Sequence, residues 1–196
     1  MARNTAVESS LDDVLEVEWA RWCKRGLDRV LVPVWRRQGA EVETAAGSAV
    51  DFASNNYLAL ASDSRLVSAA RQSLESAGVG TGASRLIYGD HPEHGELELE
   101  VARFFAAPAA LTFNCGYSAN LGTLPALIGP RDAVFSDALN HASLIDGCRL
   151  SRAKVYIYRH ADVSALRVLL ASRRSSHQRA IIASDGGFSM DGHTAP

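Results

Sequence analysis

Apolar and polar residues alternate in a regular order over the second half of the chain. Four short apolar runs are separated by stretches in which apolar side chains recur every three or four residues. The runs lie at 109–113, 133–135, Lys154–Tyr158 and Ala180–Ala183, and the helical stretches lie at about 116–128, 142–150 and Val163–Arg173. This order predicts an α/β fold, with a mostly parallel sheet and helices on both of its faces.

The first half of the chain shows a different pattern. Apolar residues at mostly helical spacing from 11 to 37 predict an amphipathic arm that ends near Pro33, and residues 49–53 alternate like a short strand. We therefore predict an amino-terminal helical arm over residues 1–48 and a larger domain over residues 49–196.

Glycine marks the next boundaries. A helix is predicted over 64–76, ended by Gly78, and another of about three turns from Glu96. The run from Gly78 to Arg85 is too rich in glycine for regular structure, so it predicts a loop whose backbone closely approaches another group.

Composition argues against several classes of protein, among them nucleic-acid-binding and membrane-spanning proteins. The formal net charge of −2 provides no field for nucleic acid or an anionic membrane, and no apolar stretch reaches the length of a membrane span. Cys23, Cys115 and Cys148 are widely spaced and form no metal-ligand pattern, which predicts reduced thiols in a cytoplasmic protein.

Parallel sheets bind ligands at the carboxyl ends of their strands, so the residues that follow each apolar run are the candidates for chemistry. Gly116 begins a predicted helix, where free backbone N–H groups favour a phosphate, although the glycine could serve only the turn. His141 follows the next run and could stack on a flat cofactor or exchange a proton. Alternatively, Asn140 or Ser143 caps the helix and His141 is only a surface neighbour.

The last apolar run leads into ten residues that contain two carboxylates, two hydroxyls and three glycines. This density of polar groups is typical of a functional site, and the segment contains Asp185, Ser189 and Asp191. Alternatively, Asp191 and Gly192 form only a common turn dipeptide, and His193 is only exposed to solvent. The remaining histidines have no ligand-like spacing, so no metal site is expected; they are His91, His94, His160 and His177. The sequence contains no nucleophile elbow, phosphate-binding P-loop or dinucleotide fingerprint.

Five motifs in this order resemble the α-oxoamine synthases, a family of fold-type I enzymes that use pyridoxal 5'-phosphate (PLP). The motifs are DFASNNYLAL at 51–60, GTGASR at 80–85, CGYSAN at 115–120, DALNHASL at 137–144 and DGGFSMDG at 185–192. The resemblance covers nearly the whole chain from about residue 26. It implies the incomplete large domain of a fold-type I PLP-dependent transferase.

The resemblance also implies roles for individual residues. Gly116 and Tyr117 would bind the cofactor phosphate, His141 would stack on the pyridine ring and be the catalytic histidine, Ser189 would hydrogen-bond the phenolic oxygen, and Asp185 would belong to the polar shell near the ring. The substrate side would contain Arg29, Asn55 and Ser84, at the interface of a homodimer. A lysine of the enzyme should hold the cofactor and remove the α-proton.

The implied reaction is condensation of an amino acid, alanine in the biotin-synthesis branch, with a pimeloyl thioester on CoA or acyl carrier protein, with loss of CO2. The only lysines are Lys24 and Lys154, and neither matches the family's Schiff-base lysine. We therefore expect the chain to be the amino-terminal part of such an enzyme and to be inactive alone. Two alternatives stay open. The chain could be a non-catalytic homologue that acts as a partner subunit or remnant, or another member of the family, of the 5-aminolevulinate synthase, 2-amino-3-ketobutyrate ligase or serine palmitoyltransferase type.

Overall fold

A capped helix begins the part of the chain that the computed structural model describes, residues 10–196. Helix α1 spans Leu11–Lys24, and Ser10 and Asp13 exchange side-chain and backbone hydrogen bonds at its start. The chain then leaves the helix at Gly26, whose φ of +63° is left-handed. Helix α1 therefore ends well before Pro33, near which the helical arm was predicted to end.

An antiparallel sheet of three strands follows, with β1 at Val34–Gln38, β2 at Glu41–Thr44 and β3 at Gly47–Val50. The strand predicted over residues 49–53 is β3, which begins and ends earlier. It stops before Asp51 because the Asp51 carboxylate accepts the Ala53 N–H at 2.9 Å, an Asx-type turn that competes with strand pairing.

Helix α2 spans Ser64–Ala77 and ends at Gly78, which confirms the prediction for residues 64–76. Asp63 caps it by accepting the Arg65 N–H at 2.9 Å. The chain divides into two compact units between Thr81 and Gly82. The predicted domain boundary after residue 48 does not coincide with this division and stays a prediction.

The second unit begins with a five-residue π-helix at Arg85–Gly89 and helix α3 at Pro92–Phe104. Helix α3 starts before Glu96 because Pro92 occupies its first turn, where no N–H is needed. Helix α4 spans Gly116–Leu127, close to the predicted 116–128.

The strand predicted at 109–113 is wrong: these residues form no regular structure and pair with no strand of residues 10–196. In a β-strand the Thr112 N–H would donate to a neighbouring strand. Here it donates to the Glu98 carboxylate at 2.8 Å. The same carboxylate forms a two-point ion pair with Arg85.

A parallel sheet occupies the rest of this unit. Strand β4 is Ala133–Asp137, helix α5 is Ala142–Ser151, β5 is Lys154–Tyr158, α6 is Val163–Arg173 and β6 is Ala180–Ala183. Strand β4 lies in the middle, paired in parallel with β5 and with β6. The crossovers from β4 to β5 and from β5 to β6 run in opposite directions, so right-handed connections put α5 and α6 on opposite faces, as predicted.

The main core lies between the sheet and the α4–α5 pair. Its buried apolar members are Leu124, Ile128, Val134, Cys148 and Ala183. Burial raises the pKa of the Cys148 thiol, which keeps it protonated. None of the helices between residues 10 and 196 combines the length and the apolar character needed to cross a bilayer.

Candidate active site

A cavity of about 380 Å³ lies at the carboxyl ends of β4 and β6. One wall consists of Leu139, Asn140, His141 and Ala142, and the other is the segment from Asp185 to Asp191. Its volume falls within the range of small-molecule sites. The two segments that the sequence singled out after these strands thus face one cavity.

Asn140 joins the two walls. Its side-chain amide, which is buried, donates to Ser136 Oγ at 2.9 Å and to the Ala183 carbonyl at 2.8 Å, and its Oδ1 accepts the Asp185 N–H at 2.9 Å. The sequence predicted only a possible helix cap at this position. The actual role depends on β6, 43 residues along the chain from Asn140, so local pattern could not reveal it.

His141 is the cap of α5, a role that one of the two interpretations of the sequence gave to Asn140 or Ser143. Its Nδ1 accepts the Ser143 N–H at 3.2 Å and lies 2.7 Å from Ser143 Oγ. The Ser143 hydroxyl also accepts a hydrogen bond from Asn120 Nδ2 at 2.8 Å. Because Nδ1 acts as an acceptor, the proton of the neutral ring lies on Nε2. The His141 backbone N–H donates to Asp185 Oδ2 at 2.6 Å.

Gly116 and Tyr117 do not line the cavity, but they are linked to it through the α4–α5 interface. Tyr117 Oη donates to Asp146 Oδ2 at 2.5 Å, and this bond raises the pKa of Tyr117 and lowers that of Asp146. One turn along α4, Asn120 makes the bond to Ser143 described above. Two hydrogen bonds between α4 and α5 therefore fix the first turn of α4 relative to the residues that hold the His141 imidazole.

The first turn of α4 fits a phosphate. Cys115 caps the helix, and its Sγ accepts the Ser118 N–H at 3.5 Å; the Ser118 hydroxyl and amide lower the pKa of the thiol. A Cβ added at Gly116 would meet no atom within 4 Å, so there is open space beside this residue. Cys115 Sγ already accepts the Ser118 N–H, but the positive end of a 12-residue helix still suits an anion.

Asp185 and Ser189, predicted to lie near the cofactor ring, both line the cavity with His141. The Asp185 carboxylate is partly exposed and Ser189 is exposed. The role of each toward a cofactor stays a prediction, and so do the roles of Gly116, Tyr117 and His141.

The three residues predicted for the substrate side lie elsewhere in the chain. Arg29 is exposed in the segment between α1 and β1, and Asn55 is exposed in the turn after β3. Ser84 precedes the π-helix, where its carbonyl accepts the N–H groups of Ile87, Tyr88 and Gly89. Ser84 does not line the cavity, and the substrate role of all three residues stays a prediction.

The sequence missed His160, which it grouped with the histidines that have no ligand-like spacing. The His160 ring lies between the buried Asp137 carboxylate, at 3.0 Å, and His193, at 3.1 Å. Burial acts to raise the pKa of Asp137, but hydrogen bonds from Leu139, Ala161 and His160 outweigh it and lower the pKa. No group of three or more His, Cys, Asp or Glu side chains within residues 10–196 is arranged to hold a metal ion.

Comparison with known proteins agrees with this architecture. The family model for aminotransferase class I and II matches residues 48–196. An 8-amino-7-oxononanoate synthase of Anaeromyxobacter sp. (strain Fw109-5) is 52% identical over 172 residues, which are 88% of this chain and 43% of that relative. This relative confirms the predicted resemblance to the α-oxoamine synthases.

Solved structures show the same fold. A serine palmitoyltransferase from S. paucimobilis with bound PLP-myriocin aldimine superposes with a TM-score of 0.84 at 29% identity, over 94% of this chain and 46% of that one. An 8-amino-7-oxononanoate synthase from Francisella tularensis gives a TM-score of 0.63 at 31% identity, over 74% and 39%. The predicted fold class, a partial large domain of a fold-type I transferase, is confirmed.

The chain spans 43% to 49% of the length of the curated relatives that it matches. The matched family model nevertheless covers both walls of the cavity and the first turn of α4. The chain belongs to the aminotransferase class I and II family.

Proposed function

We propose that the protein binds pyridoxal 5'-phosphate and serves biotin synthesis as an 8-amino-7-oxononanoate synthase. Its substrates would be L-alanine and pimeloyl-CoA or pimeloyl acyl carrier protein. One observation carries the proposal: hydrogen bonds connect α4, which begins at Gly116, to His141, which caps α5 and lines the cavity at the strand ends. The 52% identity to a relative of that name supports the choice of reaction.

In this reaction the Cα–H bond of the amino acid breaks and Cα forms a bond to the acyl carbon, while the thioester C–S bond breaks and the thiol leaves with a proton. The carboxylate of the amino acid leaves as CO2, and a proton from solvent replaces it on Cα. The bound cofactor would supply an electron sink for the negative charge at Cα.

The residues of this chain would bind the cofactor and orient its ring. The amides of Gly116 and Tyr117 would hold the phosphate at the helix start. The His141 ring would form one face of the ring site, its orientation fixed by Ser143. Ser189 and Asp185 would supply the polar groups on the opposite wall.

Neither lysine is suited to hold the cofactor, since Lys24 ends α1 and Lys154 begins β5, away from the carboxyl ends of the strands. We infer that these 196 residues bind the cofactor without completing the reaction. A homodimer, a substrate role for Arg29, Asn55 and Ser84, and a cytoplasmic location complete the proposal.

A second candidate is supported by one observation. The serine palmitoyltransferase structure superposes over more of this chain than the synthase from F. tularensis does. The synthase is favoured because identity to curated relatives of that name is much higher. Assays that pair L-alanine with pimeloyl-CoA and L-serine with palmitoyl-CoA separate the two candidates in a protein that carries the lysine.

Cofactor binding is the direct test. Equilibrium dialysis should show saturable PLP binding, and His141→Asn should weaken the affinity about tenfold because it removes the stacking face while keeping a helix cap. The matched control is His177→Asn, a histidine that bonds Tyr156 and does not line the cavity. Borohydride should leave no pyridoxyl adduct on Lys24 or Lys154.

Absence of saturable binding would contradict the proposal. Equal losses in His141→Asn and His177→Asn would also contradict it, because the effect would then not belong to the cavity.

A further inference from the structure

The two walls of the cavity are connected at a second point, through His160. The Asp137 carboxylate ends β4, and its Oδ1 accepts the Leu139 N–H at 2.8 Å, next to the wall that carries His141. Its Oδ2 accepts the Ala161 N–H at 2.9 Å, and its Oδ1 lies 3.0 Å from His160 Nδ1. One buried carboxylate thus fixes the first wall and the loop after β5.

The His160 ring continues this connection to the other wall. Its Nε2 lies 3.1 Å from His193 Nδ1, and its edge meets the Phe188 ring with centroids 4.4 Å apart. Phe188 is buried and sits between Gly187 and Ser189 in the cavity wall. The segment 186–194 is closed on itself, since the Phe188 N–H donates to the His193 carbonyl at 2.8 Å.

The chemistry of the partners fixes both tautomers in the neutral state. The Asp137 carboxylate can only accept, so His160 carries its proton on Nδ1 and presents a lone pair at Nε2. His193 must then donate from its own Nδ1. The Asp137 carboxylate, the His160 ring and the His193 ring therefore form a chain of hydrogen bonds from β4 to segment 186–194.

We propose that His160 is a positioning residue that sets the place of Ser189 by holding segment 186–194 against the end of β4, an inference that rests on the proposed function. The segment has only one isolated bridge, Gly187 with Thr194, to give it regular structure. Within residues 10–196, the His193 bond and the Phe188 contact are what join it to His160.

The test compares three variants of the full chain by hydrogen exchange. His193→Ala removes the donor, and protection of the amides of Phe188 and Gly192 should fall about tenfold while β4 stays protected. His193→Asn keeps an amide donor near the Nδ1 position and should restore protection. His160→Ala, which removes both contacts, should lower protection more than His193→Ala does.

PLP dialysis on the same variants gives the functional readout. Affinity should fall about tenfold in His193→Ala and return in His193→Asn, a rescue that a general loss of structure would not produce. If His193→Ala leaves the exchange of segment 186–194 unchanged, or if His193→Asn fails to rescue it, the proposal is overturned. If the unmodified chain binds no PLP, the proposed function fails, while the exchange result still decides the role of His160.

Discussion

Asn140 shows how a single side chain determines the geometry of the strand ends. Its three hydrogen bonds reach Ser136 on β4, Ala183 on β6 and Asp185 on the cavity wall. An amide is suited to this place because it both donates and accepts at once. A carboxylate could only accept the Asp185 N–H, and an alkyl group could form none of the three bonds.

Asn140→Ala should lower the free energy of unfolding by about 2 kcal/mol, since the buried Ala183 carbonyl and the part-buried Asp185 N–H lose their partner. Urea unfolding followed by circular dichroism measures the change. The control is Arg149→Ala, which removes an exposed ion pair with Asp146 and should cost at most about 0.5 kcal/mol. Equal effects of the two substitutions would show that the Asn140 bonds add no stability beyond a surface pair.

At the scale of elements, the packing of α4 on α5 positions the candidate site. Gly147 allows the approach: a Cβ there would lie 2.7 Å from the Asn120 carbonyl oxygen and 2.9 Å from a methyl of Leu124. The backbone oxygen cannot move without displacing α4. Residue 147 must be glycine for the hydrogen bond between Asn120 and Ser143 to form.

Gly147→Ala should therefore destabilise the protein by about 1 to 3 kcal/mol and weaken PLP binding, because α5 must move away from α4. Gly95→Ala is the matched control, a helical glycine in α3 whose added Cβ would meet nothing within 4 Å. That substitution should stabilise the protein by about 0.5 to 1 kcal/mol. Thermal unfolding of both variants gives the comparison, and a stabilising Gly147→Ala would refute the packing argument.

Sequence pattern predicted the elements whose signals are local. The bounds of β5, α6 and β6 agree with the apolar periodicity, and α2 ends at its glycine. The failures depend on distant partners: residues 109–113 are apolar like a strand, yet Thr112 bonds Glu98 across 14 positions of sequence. In the site, His141 and Asp185 could be found from strand ends, whereas Asn140 and His160 derive their roles from contacts that no short window contains.

At the scale of the whole molecule, stability in acid depends on carboxylates held by hydrogen bonds. Bonds from Arg85 and Thr112 lower the pKa of Glu98 from 4.5 to about 2. Backbone and arginine donors also lower the pKa of Asp132. Each such group stabilises the folded state above its unfolded pKa, and the contribution is lost as pH falls through the folded value.

Glu98→Gln should make the chain less stable at neutral pH, and the difference from the unmodified chain should shrink as pH falls from about 4.5 towards 2. Free energies of unfolding measured at several pH values give this difference directly, and the other carboxylates cancel from it. A difference that stays constant across that range would mean that the Glu98 pKa is not lowered by folding.

The cap that His141 places on α5 also restricts its reactivity. With Nδ1 engaged by Ser143, the only ring nitrogen left for a ligand is Nε2, which already bears hydrogen in the neutral form. The imidazole can donate a hydrogen bond from Nε2 or stack on a flat ligand. It cannot accept a proton from a ligand unless the hydrogen bond that caps the helix is broken. Deprotonation of an amino acid at this site must therefore fall to a different group.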